Sequence, residues 1–151
     1  MNSDSDVMKF FPKTLTEEET FEMIQRINRH FEKNNFGLFA VDKLKTGEFI
    51  GFCGLYIPVF NAFFTPCVEI GWRFKKTVWG LGFATEAAAA CLKYGFEFLK
   101  MEKIVSFTSP LNIRSEKLMQ RIGMEYVTDF DHPLIEKSSL LCRHVLYQKY
   151  P

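Results

Sequence analysis

The sequence is poor in the features that mark specialised protein classes. Its four cysteines, Cys53, Cys67, Cys91 and Cys142, lie far apart, with no CxxC pair and no histidine at zinc spacing. That pattern excludes a disulfide scaffold and a structural zinc site, and reads as buried, reduced thiols of a cytoplasmic protein. No apolar run approaches the roughly 18 residues that a membrane-spanning helix needs. Met1 to Asp6 is polar and acidic, without the basic start and apolar segment of a secretory signal. Charge of either sign is scarce in excess: 19 basic against 18 acidic residues leave +1. There is no broad field for nucleic acid or an anionic membrane, and neither is expected as a partner. Six prolines and nine glycines form no linker, and no repeat or low-complexity tract occurs, so residues 1–151 are expected to form a single domain.

What the chain does have is apolar and aromatic mass. Hydrophobic residues make up 47% of it and 17 are phenylalanines, enough for a large core or a core plus an apolar cleft. A chain of this length buries about two-thirds of its unfolded surface, and disorder is excluded as the dominant state.

Periodicity predicts the elements. Thr16 and Glu19 form a capping box, Glu17 to Glu19 place negative charge at a helix start, and Phe21, Ile24, Ile27 and Phe31 follow at helical spacing. A helix over 17–33 is expected, with Glu22, Gln25, Arg26 and Arg29 on its solvated face and His30 at the surface. Residues 36–42 and 48–56 flank Lys45-Thr46-Gly47 and read as a hairpin. Strands are expected at 67–74, 102–108, 124–129 and 141–149, and helices at 80–99 and 112–122. The alternation points to a mixed α/β sheet with crossover helices. The segment Ala84 to Leu92 carries almost no polar side chain, so its helix is expected to be buried all round.

One segment carries chemistry. Thr77-Val78-Trp79-Gly80-Leu81-Gly82-Phe83-Ala84-Thr85-Glu86 leads through two glycines into that helix. Unpaired amides at a helix N-terminus attract anions, and glycines let a phosphate approach the backbone. A bare G-x-G equally suits a turn that needs two glycines. The dinucleotide fingerprint fails because Thr85 stands at its third glycine, and no Gly-Lys-Ser/Thr follows to make a Walker loop.

Glu69-Ile70-Gly71-Trp72-Arg73-Phe74, then Trp79 to Ala87, resembles the acetyl-CoA signature of GNAT-superfamily N-acetyltransferases, in particular the RimJ/RimL-like branch. Thr108-Ser109-Pro110-Leu111-Asn112-Ile113-Arg114-Ser115, followed by Leu118 and Gly123-Met124, matches a second block in the right order. The resemblance implies a splayed mixed sheet in which the strand at 67–74 diverges from the one at 102–108, and the pantetheine arm of acetyl-CoA lies between them. It implies that the backbone of Trp72, Arg73 and Phe74 meets that arm. It assigns the pyrophosphate to the turn formed by Trp79, Gly80, Leu81, Gly82, Phe83, Ala84 and Thr85, with Lys75 and Lys76 as possible supplements of charge. Asn112 is implied at the cofactor arm and Ser115 near the thioester sulfur. Relative to the family pattern the chain reads as N-terminally shortened, lacking the usual first strand. An open neighbouring edge predicts pairing between chains, hence a homodimer.

Acetyl transfer needs a neutral amine. A protein α-amine, with a pKa of about 7.7–8.0, is partly neutral at pH 7, whereas deprotonating a lysine costs about 4–5 kcal/mol. Glu69 is the expected general base, on the strand face opposite Val68, Ile70 and Trp72. Met119 stands where many members have the tyrosine that protonates the leaving thiolate, so Ser115 is the expected substitute. His132 and His144 are placed within reach of the acceptor site or as ties for the 130–140 loop. Phe52, Tyr56, Phe60, Phe63, Phe64 and Trp72 are candidate cleft residues, with the loop 57–66 expected over the acceptor mouth. No cluster has metal-ligand spacing. The expected activity is direct acetyl transfer to a primary amine, of a protein N-terminus or a small molecule; a non-catalytic CoA-binding protein is the alternative, and the acceptor is open.

Overall fold

A computed structural model describes all 151 residues. The first helix, α1 (Glu17–Asn34), begins with the expected capping box: Thr16 Oγ1 accepts the Glu19 N–H and Glu19 accepts the Thr16 N–H at 2.9 Å. Its inner face is rotated from the expected one. Phe21 and Ile24 are 61% and 46% exposed, whereas His30, expected at the surface, is buried. The reason is a pair of backbone bonds: His30 Nδ1–H donates to Phe36 O at 2.9 Å and Nε2 accepts the Ile57 N–H at 3.1 Å. One imidazole thus satisfies two backbone groups that have no ladder partner, which outweighs its polarity.

Six strands follow: β1 (Leu38–Asp42), β2 (Phe49–Tyr56), β3 (Glu69–Phe74), β4 (Ile104–Thr108), β5 (Glu125–Asp131) and β6 (Arg143–Lys149). They form one mixed sheet in the order β1-β2-β3-β4-β6-β5, with β1 outermost. The β1–β2 hairpin turns at Gly47 as expected. The β2–β3 register runs without a bulge from Gly51↔Phe74 to Tyr56↔Glu69. Strand alternation therefore puts Phe52, Tyr56, Glu69 and Arg73 on the α1 face, and Cys53, Leu55, Ile70, Trp72 and Phe74 on the other.

The second face carries α2 (Phe83–Lys93) and α3 (Ile113–Arg121), with most of the buried apolar side chains between them and the sheet. The expected helix over 80–99 starts three residues late, because Gly80 and Gly82 stay outside it, and ends in a π turn at Tyr94–Phe98. It is also not buried all round. Ala88 and Leu92 face the core, whereas Ala89 and Ala90 are exposed. An outward alanine exposes little apolar area, so small side chains here serve close approach rather than full enclosure.

Candidate active site

Only β3 and β4 run parallel as neighbours, and they pair at a single position, Glu69↔Val105. Val105 N–H donates to Val68 O at 2.9 Å and Ser106 Oγ–H donates to Ile70 O at 2.9 Å, after which the strands part. Lys75 N–H donates to Ile50 O on β2, so alternation turns Trp72 and Phe74 toward the gap. The Phe74 carbonyl accepts from Trp79 Nε1 at 3.0 Å. The N–H and C=O of Trp72 and the N–H of Phe74 are left to line the gap without partners.

The cavity through this gap measures about 1150 Å³. Drug-sized ligand sites span roughly 300–1,000 Å³, so this volume can hold a cofactor arm and an acceptor together. It is lined from both faces of the sheet: Tyr56 and Glu69 on the α1 side, Thr85, Asn112 and Ser115 on the other.

At one end lies the glycine turn. Gly80 and Gly82 adopt φ of +78° and +90°, and a Cβ built on either would meet no atom within 4 Å. Positive φ explains why both are glycine, and the open space is a cradle rather than a packing contact. The first backbone bond of α2 runs from Glu86 N–H to Gly82 O, so the amides of Phe83, Ala84 and Thr85 are free at the positive end of the helix. The Leu81 amide, by contrast, is taken by Val78 O at 3.4 Å, and its side chain points to solvent. Phe83 packs its ring against the core.

The basic side chains at this end of the cavity are not the two lysines that adjoin the turn in sequence. Lys75 lies 3.9 Å from Glu48 and Lys76 pairs with Asp6 at 2.6 Å, and neither lines the cavity. Instead Arg114, Lys117 and Arg121 line it from α3. Arg121 donates to Thr85 Oγ1 at 3.2 Å, and the Arg114 guanidinium stacks 4.6 Å from the Trp79 ring. Their spacing of three and four residues on a helix following Asn112 was a readable signal.

In the middle, Ser115 Oγ accepts two hydrogen bonds, from Trp72 Nε1 at 3.2 Å and Asn112 Nδ2 at 3.1 Å. With both lone pairs engaged, its own O–H is free to donate. Asn112 caps α3 by accepting the Ser115 N–H, and its amide also donates to Thr108 Oγ1 at 3.3 Å. Met119 is fully buried, so the position of the missing tyrosine serves packing.

On the α1 side, Glu69 sits between the two halves of the sheet. Burial alone pushes its carboxyl up to about 8, with no hydrogen bond or charge to offset it. Arg73, on the same face, donates to Asn2 Oδ1 at 2.9 Å and stacks 4.2 Å from the ring of Phe11 and 5.3 Å from that of Phe52. Its Nε–H is buried without a partner, and burial lowers the guanidinium to about 10, still charged at neutral pH.

Three of the six proposed cleft aromatics, Phe52, Tyr56 and Trp72, line the cavity. The loop 57–66 does not cover its mouth. Phe60 and Phe64 pack against Phe107 on β4 instead, and Phe63 is 70% exposed. The loop shields a neighbouring cluster in which His132 and His144 pack at a tilt of 45° with ring centres 5.0 Å apart. Both imidazoles line the cavity, and burial is the main cause holding both below the usual histidine range, His132 at about 4.

Comparison with known proteins agrees with this architecture. The model of the acetyltransferase (GNAT) domain matches residues 1–125. The chain belongs to this family of acetyltransferases, which use acetyl-CoA as co-substrate. It is 34% identical over 124 residues to the uncharacterized protein YkkB of Bacillus subtilis (strain 168), covering 82% of this chain and 71% of that one. The uncharacterized N-acetyltransferase YnaD of the same organism is 33% identical over 122 residues, covering 81% and 68%. A solved GNAT-family acetyltransferase from Bacillus anthracis superposes with a TM-score of 0.80 at 29% identity, over 99% of this chain and 84% of that one. No helix here is long and apolar enough to cross a membrane.

Proposed function

We propose that this chain transfers the acetyl group of acetyl-CoA directly to a primary amine, with Glu69 as general base and Ser115 as donor to the departing sulfur. The observation that carries the reading is the gap between β3 and β4, with unpartnered backbone groups along it and a glycine cradle at its end. The residues present fit the cofactor. Trp72 and Phe74 offer strand-like hydrogen bonds to the pantetheine amides, and Gly80, Gly82 and the amides of Phe83 to Thr85 suit a diphosphate. Arg114, Lys117 and Arg121 add positive charge for the phosphates.

Acetyl-CoA supplies an activated acyl carbon. Glu69, as a carboxylate, takes one proton from the bound ammonium, which frees the nitrogen lone pair to form the C–N bond. In an apolar cleft, ammonium plus carboxylate converts to neutral amine plus neutral acid without stranding a charge. Ser115 donates its free O–H toward the sulfur as the C–S bond breaks, and the second proton of the nitrogen leaves on that sulfur as the thiol of CoA. A thiolate with a pKa near 8.5 leaves readily, so a weak donor suffices without the tyrosine.

Calorimetric titration with CoA, followed by thiol release from acetyl-CoA across a panel of amines, tests the proposal. Binding plus turnover supports it. CoA binding with no turnover on any amine would favour a non-catalytic binder, and no binding would refute both.

A further inference from the structure

The geometry points to an acceptor that carries a single amine on an aromatic body, an arylalkylamine in chemical class, rather than a polycation. The inference rests on the acetyl-transfer reading and concerns the α1 side of the same cavity. Only two carboxylates line the cavity. Glu86 lies in the first turn of α2, beside the phosphate cradle, which leaves Glu69 alone at the acceptor end. A first ammonium can meet Glu69. A second would find no anion there, and Arg73, four residues along the same strand face, would repel it. An unpaired cation in a half-dry cleft is strongly disfavoured.

The opposite wall is built for a flat ring. Phe107, His132 and His144 line the cavity there, backed by Phe60, Phe64 and Phe130. Their centres lie 4.6–6.2 Å apart within this cluster, in tilted and edge-on arrangements that continue naturally onto another aromatic group. The two imidazoles are neutral at pH 7, so they offer π faces and no charge. Across the cavity, Tyr56 stacks on His30 with ring centres 4.2 Å apart and presents a second aromatic surface. Leu134 and Ile135 add an apolar rim.

The test compares 2-phenylethylamine with 1,4-diaminobutane, spermidine and kanamycin as acceptors. Short peptides beginning with Phe or Ala form a second arm. The expected result is a kcat/KM for phenylethylamine at least tenfold above the diamine and polycations, with the Phe peptide above the Ala peptide if a peptide is the natural source. His132→Asp, which adds a carboxylate to the wall from a loop position, should narrow or reverse that preference. Diamine or polycation turnover equal to or above that of phenylethylamine would overturn the inference and leave acetyl transfer standing. If no amine is turned over, ligand-observed NMR on the CoA-loaded protein decides. Saturable phenylethylamine binding without diamine binding supports the aromatic pocket, and its absence overturns it.

Discussion

Replacing Glu69 by glutamine should cut activity by about 10²–10⁴-fold while making the protein more stable at alkaline pH. The carboxyl lies between the sheet halves, and its folded value of about 8 stands against an ordinary value of 4.5. Between those pH values the folded chain holds a proton that the unfolded chain has released. Stability therefore falls as pH rises from about 4.5 and levels off above 8. At 1.36 kcal/mol per pH unit the ceiling is about 5 kcal/mol, and water at the cavity mouth should reduce it to about 2–3 kcal/mol. Glutamine is isosteric and neutral at every pH, so E69Q should match the native chain near pH 5 and exceed it by that amount at pH 9. Urea denaturation at the two pH values measures the difference. In thiol-release assays the native kcat/KM should rise with pH to a plateau above about 8. E69Q should lose about 10²–10⁴-fold together with that limb. An unchanged pH profile in E69Q would refute the role of Glu69. A stability difference equal at pH 5 and pH 9 would refute its burial as an acid.

Three further outcomes follow from single positions. Gly82→Asp places a carboxylate in the cradle and an L side chain at φ +90°; CoA affinity should drop at least tenfold by calorimetry, with about 1–2 kcal/mol of stability lost. Gly54→Ala would bring a Cβ to 2.1 Å from Gly37 O, so the β1–β2 pair must separate, and the urea midpoint should fall by the equivalent of at least about 2 kcal/mol. His30→Ala removes both backbone bonds and should cost about 3 kcal/mol at pH 8. Because burial lowers the His30 pKa, native stability is lost as pH falls below about 6.5, and a urea series should show that part of the acid sensitivity gone from the variant.

Secondary structure was legible because hydrophobic period is a local property. Nine expected helices and strands reappear with ends shifted by a few residues. The glycine turn was equally local, since positive φ at Gly80 and Gly82 and the free amides after them belong to one short segment. Glu69 was placed on the correct face because its strand runs without a bulge. His30 was misread, since its value lies in reaching Phe36 and Ile57, positions no helical wheel contains. Lys75 and Lys76 were only possible supplements of charge, named because they adjoin the turn in sequence, and their carboxylate partners come from Glu48 and Asp6.

Local order thus determined where the elements lie and which amides can grip an anion, because backbone conformation and alternation follow from neighbouring residues. Tertiary packing decided the rest. It brought Arg121 to Thr85 and gathered Phe60, Phe107 and His132 from three separate segments. It also raised the Glu69 carboxyl by withdrawing it from water. Burial and charge environment are sums over the whole fold, and no stretch of sequence contains them.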